Sequence, residues 1–260
     1  MGQNIREFAG IAENYSTFNR EERNLATVLY YLFLQPSNLD RFFKLIGSKT
    51  EIVQEEFGIY FEYSYLRDLW SKLGDNNIKR ELIRTFLPLT SPGQIFNKSI
   101  YEFNSYFGAV REPSRNYIQS PGTWSLKRYA PNIKDNEDLL NICKFKWSFN
   151  AKPDIVINTS RDTAVCIEAK SESGEGFYPQ KFDEVDIFKQ RGIKRVSQTE
   201  LQKYFMEDLL GIKTDFVFLV KKGAPVSSSH KVITWKQLFH CLDLDGAPQF
   251  ILEMIDSAKT

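Results

Sequence analysis

Two short stretches of this chain could place hard oxygen ligands and a cation around a phosphate ester: Pro153-Asp154 and, a little further on, Glu168-Ala169-Lys170. Phosphodiester hydrolysis calls for a divalent ion that polarises the phosphate and acidifies water. It also needs carboxylates to hold the ion, and a cation near the nucleophile or the developing charge. Asp154 and Glu168 are ligands of the kind that Mg²⁺ or Mn²⁺ prefers. Strand side chains alternate faces, so Glu168 and Lys170 are expected to point the same way, roughly 7 Å apart, with Val165 and Ile167 on the opposite, buried side. An acid two positions before a lysine arises by chance in most chains of this composition. Here Glu168-Ala169-Lys170 is the single case among all the lysines, and it ends the one hairpin that also carries a Pro-Asp.

The elements that must position these residues follow from periodicity and turn chemistry. Pro153 to Ile157 and Ala164 to Ala169 read as strands joined by the polar turn Asn158-Thr159-Ser160-Arg161-Asp162, which can return Asp154 towards Glu168. Lys144 to Phe149 alternates in polarity and reads as a preceding strand, giving three strands in antiparallel succession. A helix is expected from Ser197 to Leu210, with Ser197 and Glu200 at capping-box spacing and Gly211 placed to end it. Asp215 to Val220 is an apolar run expected to be a buried strand. Val232 to Thr234 reads as one more strand, with Trp235 to Leu242 and Phe250 to Ile255 as closing helices.

At the other end, Asn19 and Glu22 have capping-box spacing, and Leu25, Val28, Leu29 and Leu32 recur on one helical face until the turn at Gln35-Pro36-Ser37. Leu39 to Ile46, Tyr65 to Leu73 and Ile78 to Phe86 carry helical periodicity, and Ile59 to Tyr63 reads as a short strand. From Ser91 to Asn136, Pro92, Pro113, Pro121 and Pro131 punctuate a stretch that reads as irregular. The expected architecture is α/β, with a mixed central β-sheet flanked by helices. Residues 1–36 and 137–260 would form the core, and 37–136 an inserted subdomain, helical and then loop-rich.

Pro153-Asp154, followed after an apolar strand by Glu168-Ala169-Lys170, resembles the PD-(D/E)XK nuclease superfamily, the restriction-endonuclease-like fold. The resemblance spans about Lys144 to Val220 plus the helix from Asn19. It implies a core of helix, three antiparallel strands, helix and further strand. It further implies that Asp154 and Glu168 bind Mg²⁺ or Mn²⁺, that Ala169 offers its backbone carbonyl to the metal, and that Lys170 orients or activates water. Glu22 is similar to the glutamate that many members carry on the first helix and would join the catalytic and metal-binding set. Glu21 competes with it, lying nearer the centre of the apolar stripe, and Glu22 could instead serve only the Asn19 cap. Gln198, Gln202 and Tyr204 lie on the helix after the lysine strand, but their intervals depart from the spacing of the RecB-like exonuclease branch.

Nucleic acid has two candidate contacts. Lys189, Arg191, Lys194 and Arg195 cluster just before Gln198 and Gln202 and could contact phosphates. Arg111, Arg115, Tyr117, Trp124, Lys127, Arg128 and Tyr129 interleave cations with aromatics that could either pack or stack on bases. Glu172 continues the Glu168/Lys170 face, within the Ser171 to Gly176 loop. The near balance of 34 Lys+Arg against 33 Asp+Glu argues against bulk electrostatic coating of nucleic acid. Cys143, Cys166 and Cys241 are scattered, and His230 and His240 stand apart, so Cys- or His-based metal chemistry has little support. The N-terminus lacks an apolar leader and Ala26 to Leu34 is too short to span a bilayer, so a cytoplasmic protein without membrane contact is expected.

Together these residues imply a Mg²⁺- or Mn²⁺-dependent endonuclease acting on DNA, with RNA still open as substrate. By the resemblance, its setting would be bacterial defence or restriction, as a homodimer or as one subunit of a defence complex. The alternative is a nucleic-acid-binding module or complex subunit that keeps the nuclease fold without turnover.

Overall fold

The structure, a computed structural model, describes residue 9 and residues 22–87, 89–90, 94–108, 112–170, 174–221 and 230–259. Asn19, Glu21, Arg111 and Glu172 lie outside the described residues. In chain order the elements are α1 (Glu22–Phe33), α2 (Pro36–Ile46), β1 (Gly58–Phe61), α3 (Tyr65–Lys72), α4 (Asn76–Phe86), α5 (Ile100–Tyr106), α6 (Leu126–Tyr129) and α7 (Asn136–Ser148). There follow β2 (Ile155–Asn158), β3 (Thr163–Ala169), β4 (Phe177–Tyr178), α8 (Phe182–Gln190), β5 (Val196–Ser197), α9 (Gln198–Lys203), β6 (Lys213–Val220), β7 (Lys231–Thr234), α10 (Trp235–Cys241) and α11 (Gln249–Lys259). The chain forms two compact units. The first comprises Met1–Phe61, Asp154–Gly174 and Asp215–Thr260, and the second Glu62–Pro153 and Glu175–Thr214.

The first unit is α/β, built on a mixed five-stranded sheet in the order β1-β2-β3-β6-β7 and flanked by helices. β1 with β2, and β2 with β3, are antiparallel, whereas β6 and β7 are parallel. The β2–β3 turn closes through its own polar residues. Thr159 N–H donates to the Thr163 carbonyl at 3.0 Å, and the Ser160 and Thr163 hydroxyls are 2.7 Å apart. Register then pairs Ile155 with Ile167 and Ile157 with Val165. Because strand residues alternate faces, these four share one side of the sheet. They join a core with Leu25, Leu29 and Leu32 of α1, Phe42 of α2, Trp235 and Leu238 of α10, and Ile251 and Ile255 of α11. Burying each such aliphatic side chain is worth about 1.5–3 kcal/mol.

The expected apolar face of the first helix is thus the face that packs, and α2 starts earlier than expected. Pro36 sits in its first turn instead of in a turn between helices, because the N–H it lacks has no intrahelical partner there. Gly47 ends α2 at φ +59°. Asn38 ties this corner to the end of α10. Its amide donates to the Leu32 and Asp243 carbonyls at 3.1 and 3.0 Å, and its side-chain oxygen accepts from Asp243 N–H at 2.6 Å. Asn38→Leu strands these buried backbone groups, so denaturant unfolding should show a loss of about 2–4 kcal/mol.

Lys144 to Phe149 is not a strand: Lys144 to Ser148 form the last turns of α7, and Phe149 is its C-terminal cap. Asp135 caps α7 by accepting from the Glu137 and Asp138 N–H groups. The helix is buried on several sides, through Leu139, Ile142, Cys143, Phe145, Lys146 and Trp147. A helix buried in this way shows no clean 3.6-residue stripe, and its Lys-Phe-Lys-Trp run only imitates a pleat. The strand that completes the antiparallel trio is β1, which lies inside the 37–136 stretch and belongs to the first unit.

In the second unit, the described residues between Ser91 and Asn136 hold α5, α6 and short 3₁₀ turns at Ile95–Asn97, Pro121–Thr123 and Ala130–Asn132, more regular structure than the prolines suggest. Buried Asn104 supports the irregular part by donating to the Ser114 and Tyr117 carbonyls, both at 2.9 Å, and accepting from Gln119 N–H. The expected helix from Ser197 forms with both halves of the Ser197/Glu200 capping box in place. It continues past Lys203 as a π-helix over Tyr204–Leu209, and Gly211 follows at φ +69°. Among the described residues no helix is long and apolar enough to cross a membrane.

Candidate active site

The β2–β3 register sets Asp154 beside Glu168, since Ile155 already pairs with Ile167. Asp154 Oδ2 accepts from the Ala169 N–H at 2.8 Å, which fixes the carboxylate against the end of β3. Lys170 Nζ donates to Glu168 Oε1 at 2.8 Å, so the two side chains expected on one face do meet there. Both are largely withdrawn from solvent, at 9% and 7% side-chain exposure. Val165 and Ile167 lie in the core on the other face, as alternation requires.

The Lys170 backbone is held on both sides. Its N–H donates to the Leu219 carbonyl of β6 at 2.7 Å, and its carbonyl accepts from Trp235 Nε1 at 3.0 Å. In extended backbone the N–H and C=O of one residue point to the same side, and those of the next residue to the opposite side. Lys170 therefore faces β6 and α10 with both groups, and Ala169 turns its carbonyl to the side on which its N–H meets Asp154.

Electrostatics set the carboxylates of Asp154, Glu168 and Glu22 around the Lys170 ammonium. Burial pushes the Asp154 carboxyl up to about 7. The Glu168 charge adds to this, the Ala169 N–H and Lys170 oppose it, and Glu22 contributes a further upward push. Burial pulls the Lys170 ammonium down, yet Glu168 beside it, with Glu22 and Asp154, more than offsets this and holds it above the ordinary lysine value. Glu22, at the start of α1, thus acts on both groups, while Glu21 lies outside the described residues. The ammonium of Lys170 faces the carboxylates of Asp154, Glu168 and Glu22, a balance that a divalent cation would correct.

Among the described residues no three His, Cys, Asp or Glu side chains form a ready-made metal cage. Mg²⁺, however, commonly takes only one or two protein carboxylates and keeps several of its own waters. Asp154 and Glu168, with the Ala169 carbonyl turned towards Asp154, fit that smaller donor set.

The raised Asp154 pKa carries a pH signature. A carboxyl whose folded pKa lies above its unfolded value is neutral without penalty in acid. It becomes a destabilising charge as pH climbs from its unfolded value, near 4, to its folded value near 7. In metal-free thermal melts, the stability of wild type relative to Asp154→Asn should therefore fall across pH 4–7 and level off above. Mg²⁺ should restore it in wild type alone.

The candidate nucleic-acid contacts among the described residues lie in the second unit. Arg191 donates to the Ile133 and Ala130 carbonyls at 2.8 and 2.7 Å, so its guanidinium is engaged in holding the chain after α6. Arg195 donates to the Phe177 carbonyl at 2.7 Å and lies over the Phe177 ring. Lys189 reaches Asp186 at 4.0 Å on the surface, and Gln202 is buried. Gln198 N–H donates to the Gly176 carbonyl, which joins the start of α9 to the segment before β4. In the aromatic stretch, Trp124 stacks on Phe107 with centroids 4.0 Å apart and Tyr129 is fully buried, so these two are packing residues. Tyr117 is exposed, and Arg115 lies over Tyr101.

Sequence reasoning missed Leu219 and Trp235 as neighbours of the site. A buried tryptophan needs an acceptor for its indole N–H, which is a usable signal, but nothing local says which carbonyl supplies it. Comparison with family models, curated proteins and solved structures found no match to this chain, so the site is read from its own residues.

Proposed function

We propose that this chain is a divalent-metal-dependent nuclease that hydrolyses DNA phosphodiester bonds, with the restriction-endonuclease-like core of the PD-(D/E)XK superfamily that its hairpin resembles. One observation carries the reading. Two acidic side chains, Asp154 just before β2 and Glu168 on β3, come together at the end of β3 with the Lys170 ammonium on the second of them. Asp154, Glu168 and the Ala169 carbonyl would hold Mg²⁺ or Mn²⁺, with Glu22 adding negative charge from α1. When bound, the ion supplies charge neutralisation at the phosphate and acidifies water.

The protein's own part is orientation. The Ala169 N–H holds the Asp154 carboxylate in place. Glu168 fixes the Lys170 ammonium where it can orient water or offset the charge that builds on the phosphate. The near-complete burial of Glu168 and Lys170 weakens competition from bulk water for these contacts. Bacterial defence or restriction is the setting the resemblance suggests, with DNA as the partner.

The same burial favours a second reading, in which the charged set survives as a structural pair within a non-catalytic nucleic-acid-binding subunit. One experiment separates them. The purified chain is incubated with circular and linear DNA, single- and double-stranded, and with RNA, in Mg²⁺, Mn²⁺ or EDTA. The nuclease reading expects cleavage of DNA that requires the metal, and opening of circles would make it an endonuclease. Binding without cleavage under every ion, or cleavage that survives both Asp154→Ala and Lys170→Ala, would defeat it.

A further inference from the structure

We infer that Trp235 is a positioning residue of this site, holding the Lys170 carbonyl, and with it the backbone from which the Lys170 side chain leaves, through its indole N–H. The inference rests on the nuclease reading above and extends it to a residue far away in sequence. Lys170 directly follows the last residue of β3, and two contacts of its own peptide groups hold its backbone there. Those contacts are the Leu219 carbonyl, at 2.7 Å from its N–H, and Trp235 Nε1, at 3.0 Å from its carbonyl.

Trp235 is itself immobilised. It is fully buried, stacks on Phe239 at 5.5 Å, and begins α10 immediately after β7. Thr234 caps α10 with Gln237 as reciprocal partner, so the indole is held at a defined helix start directly after the edge strand β7. An indole nitrogen can only donate, and the carbonyl it meets belongs to the residue whose ammonium stands at the site.

Two consequences follow for the chemistry. Pinning Lys170 on both peptide groups fixes where its side chain departs, and so where Nζ meets Glu168 Oε1. The plane shared with Ala169, whose carbonyl faces the Asp154 side, is held by the Lys170 N–H on Leu219, and Trp235 steadies it by holding the other peptide group of the same residue. Removing the indole N–H should loosen both without touching any charged group. The expected result is a specific loss of turnover and of metal affinity, with DNA binding unchanged.

The test compares wild type, Trp235→Phe and Ile255→Val, the last removing one methylene from the same core on α11. Initial rates on DNA give kcat and KM, and Mn²⁺ binding is read separately by titration calorimetry. Trp235→Phe should lower kcat at least tenfold, leave KM for DNA within twofold and weaken Mn²⁺ at least fivefold. Ile255→Val should change none of these, even where its Tm falls as far. Wild-type values for both kcat and Mn²⁺ affinity in Trp235→Phe would overturn the role of Trp235 and leave the nuclease reading standing. A wild type that neither cleaves DNA nor binds Mn²⁺ would instead overturn the nuclease reading, and this inference with it. Should Trp235→Phe fail to fold, benzothienylalanine at position 235, which replaces the indole N–H by sulfur at nearly constant ring volume, must produce the same losses.

Discussion

Asp154→Asn should abolish DNA cleavage while making the metal-free protein more stable at neutral pH. The amide keeps an oxygen that can accept from the Ala169 N–H, so the local hydrogen bond survives. What disappears is a carboxylate that burial and Glu168 have pushed to about 7. Each pKa unit corresponds to about 1.4 kcal/mol between charged and neutral forms. Removing the charge at pH 8 should therefore return a few kcal/mol to the fold, while in acid the two proteins should converge. Turnover should fall by roughly 10²–10⁴-fold, the range seen when a single positioned electrostatic or acid–base group is removed. Thermal melts in EDTA at pH 4 and pH 8, beside a cleavage assay in Mg²⁺, read both effects. A variant as unstable as wild type at pH 8 would show that Asp154 is not held under electrostatic strain.

Lys170→Met should also eliminate cleavage, but with the opposite sign in stability. The methionine keeps much of the aliphatic stem and loses the ammonium that sits 2.8 Å from Glu168 Oε1. The Glu168 carboxylate then stays buried without that cation, with Asp154 still beside it. Removing one partner of a buried ion pair typically costs about 3–5 kcal/mol, because the remaining charge is desolvated without compensation. Glu168→Gln with Lys170→Met should recover a large share of that loss, and no activity. Equilibrium unfolding of the two single variants and the double variant gives the coupling directly. If Lys170→Met were neutral in stability, the pair would be a solvated face and not a buried site.

These two results separate a functional cluster from a structural one. A structural ion pair would lose stability on either substitution. A site that holds uncompensated charge for a ligand gains stability when one like charge is removed and loses it when the balancing cation is removed.

The strongest local signals in the sequence were also the ones the structure reproduces. The β2–β3 hairpin could be read because its strands alternate with period two and its turn residues bond to one another within a few positions. That same short-range geometry places Glu168 and Lys170 on one face, and Asp154 next to Glu168. The helix after Ser197 was readable for a similar reason, since both halves of its capping box lie within one turn.

What the sequence could not decide depends on contacts between distant segments. Lys144 to Ser148 carries a strand-like alternation, and only burial on several sides of α7 explains why a helix adopts it. β1 has four residues and little local pattern, so its place beside β2 comes from pairing across almost a hundred positions of chain. The backbone carbonyls to which the Arg191 and Arg195 guanidinium groups donate lie at positions that no local pattern points to. The sequence alone determined which residues carry charge and how neighbours on one strand are arranged, because strand stereochemistry is local. Tertiary structure alone decided which groups are desolvated, and which carbonyl receives the Trp235 N–H, because burial and long-range hydrogen bonds exist only once the segments have packed.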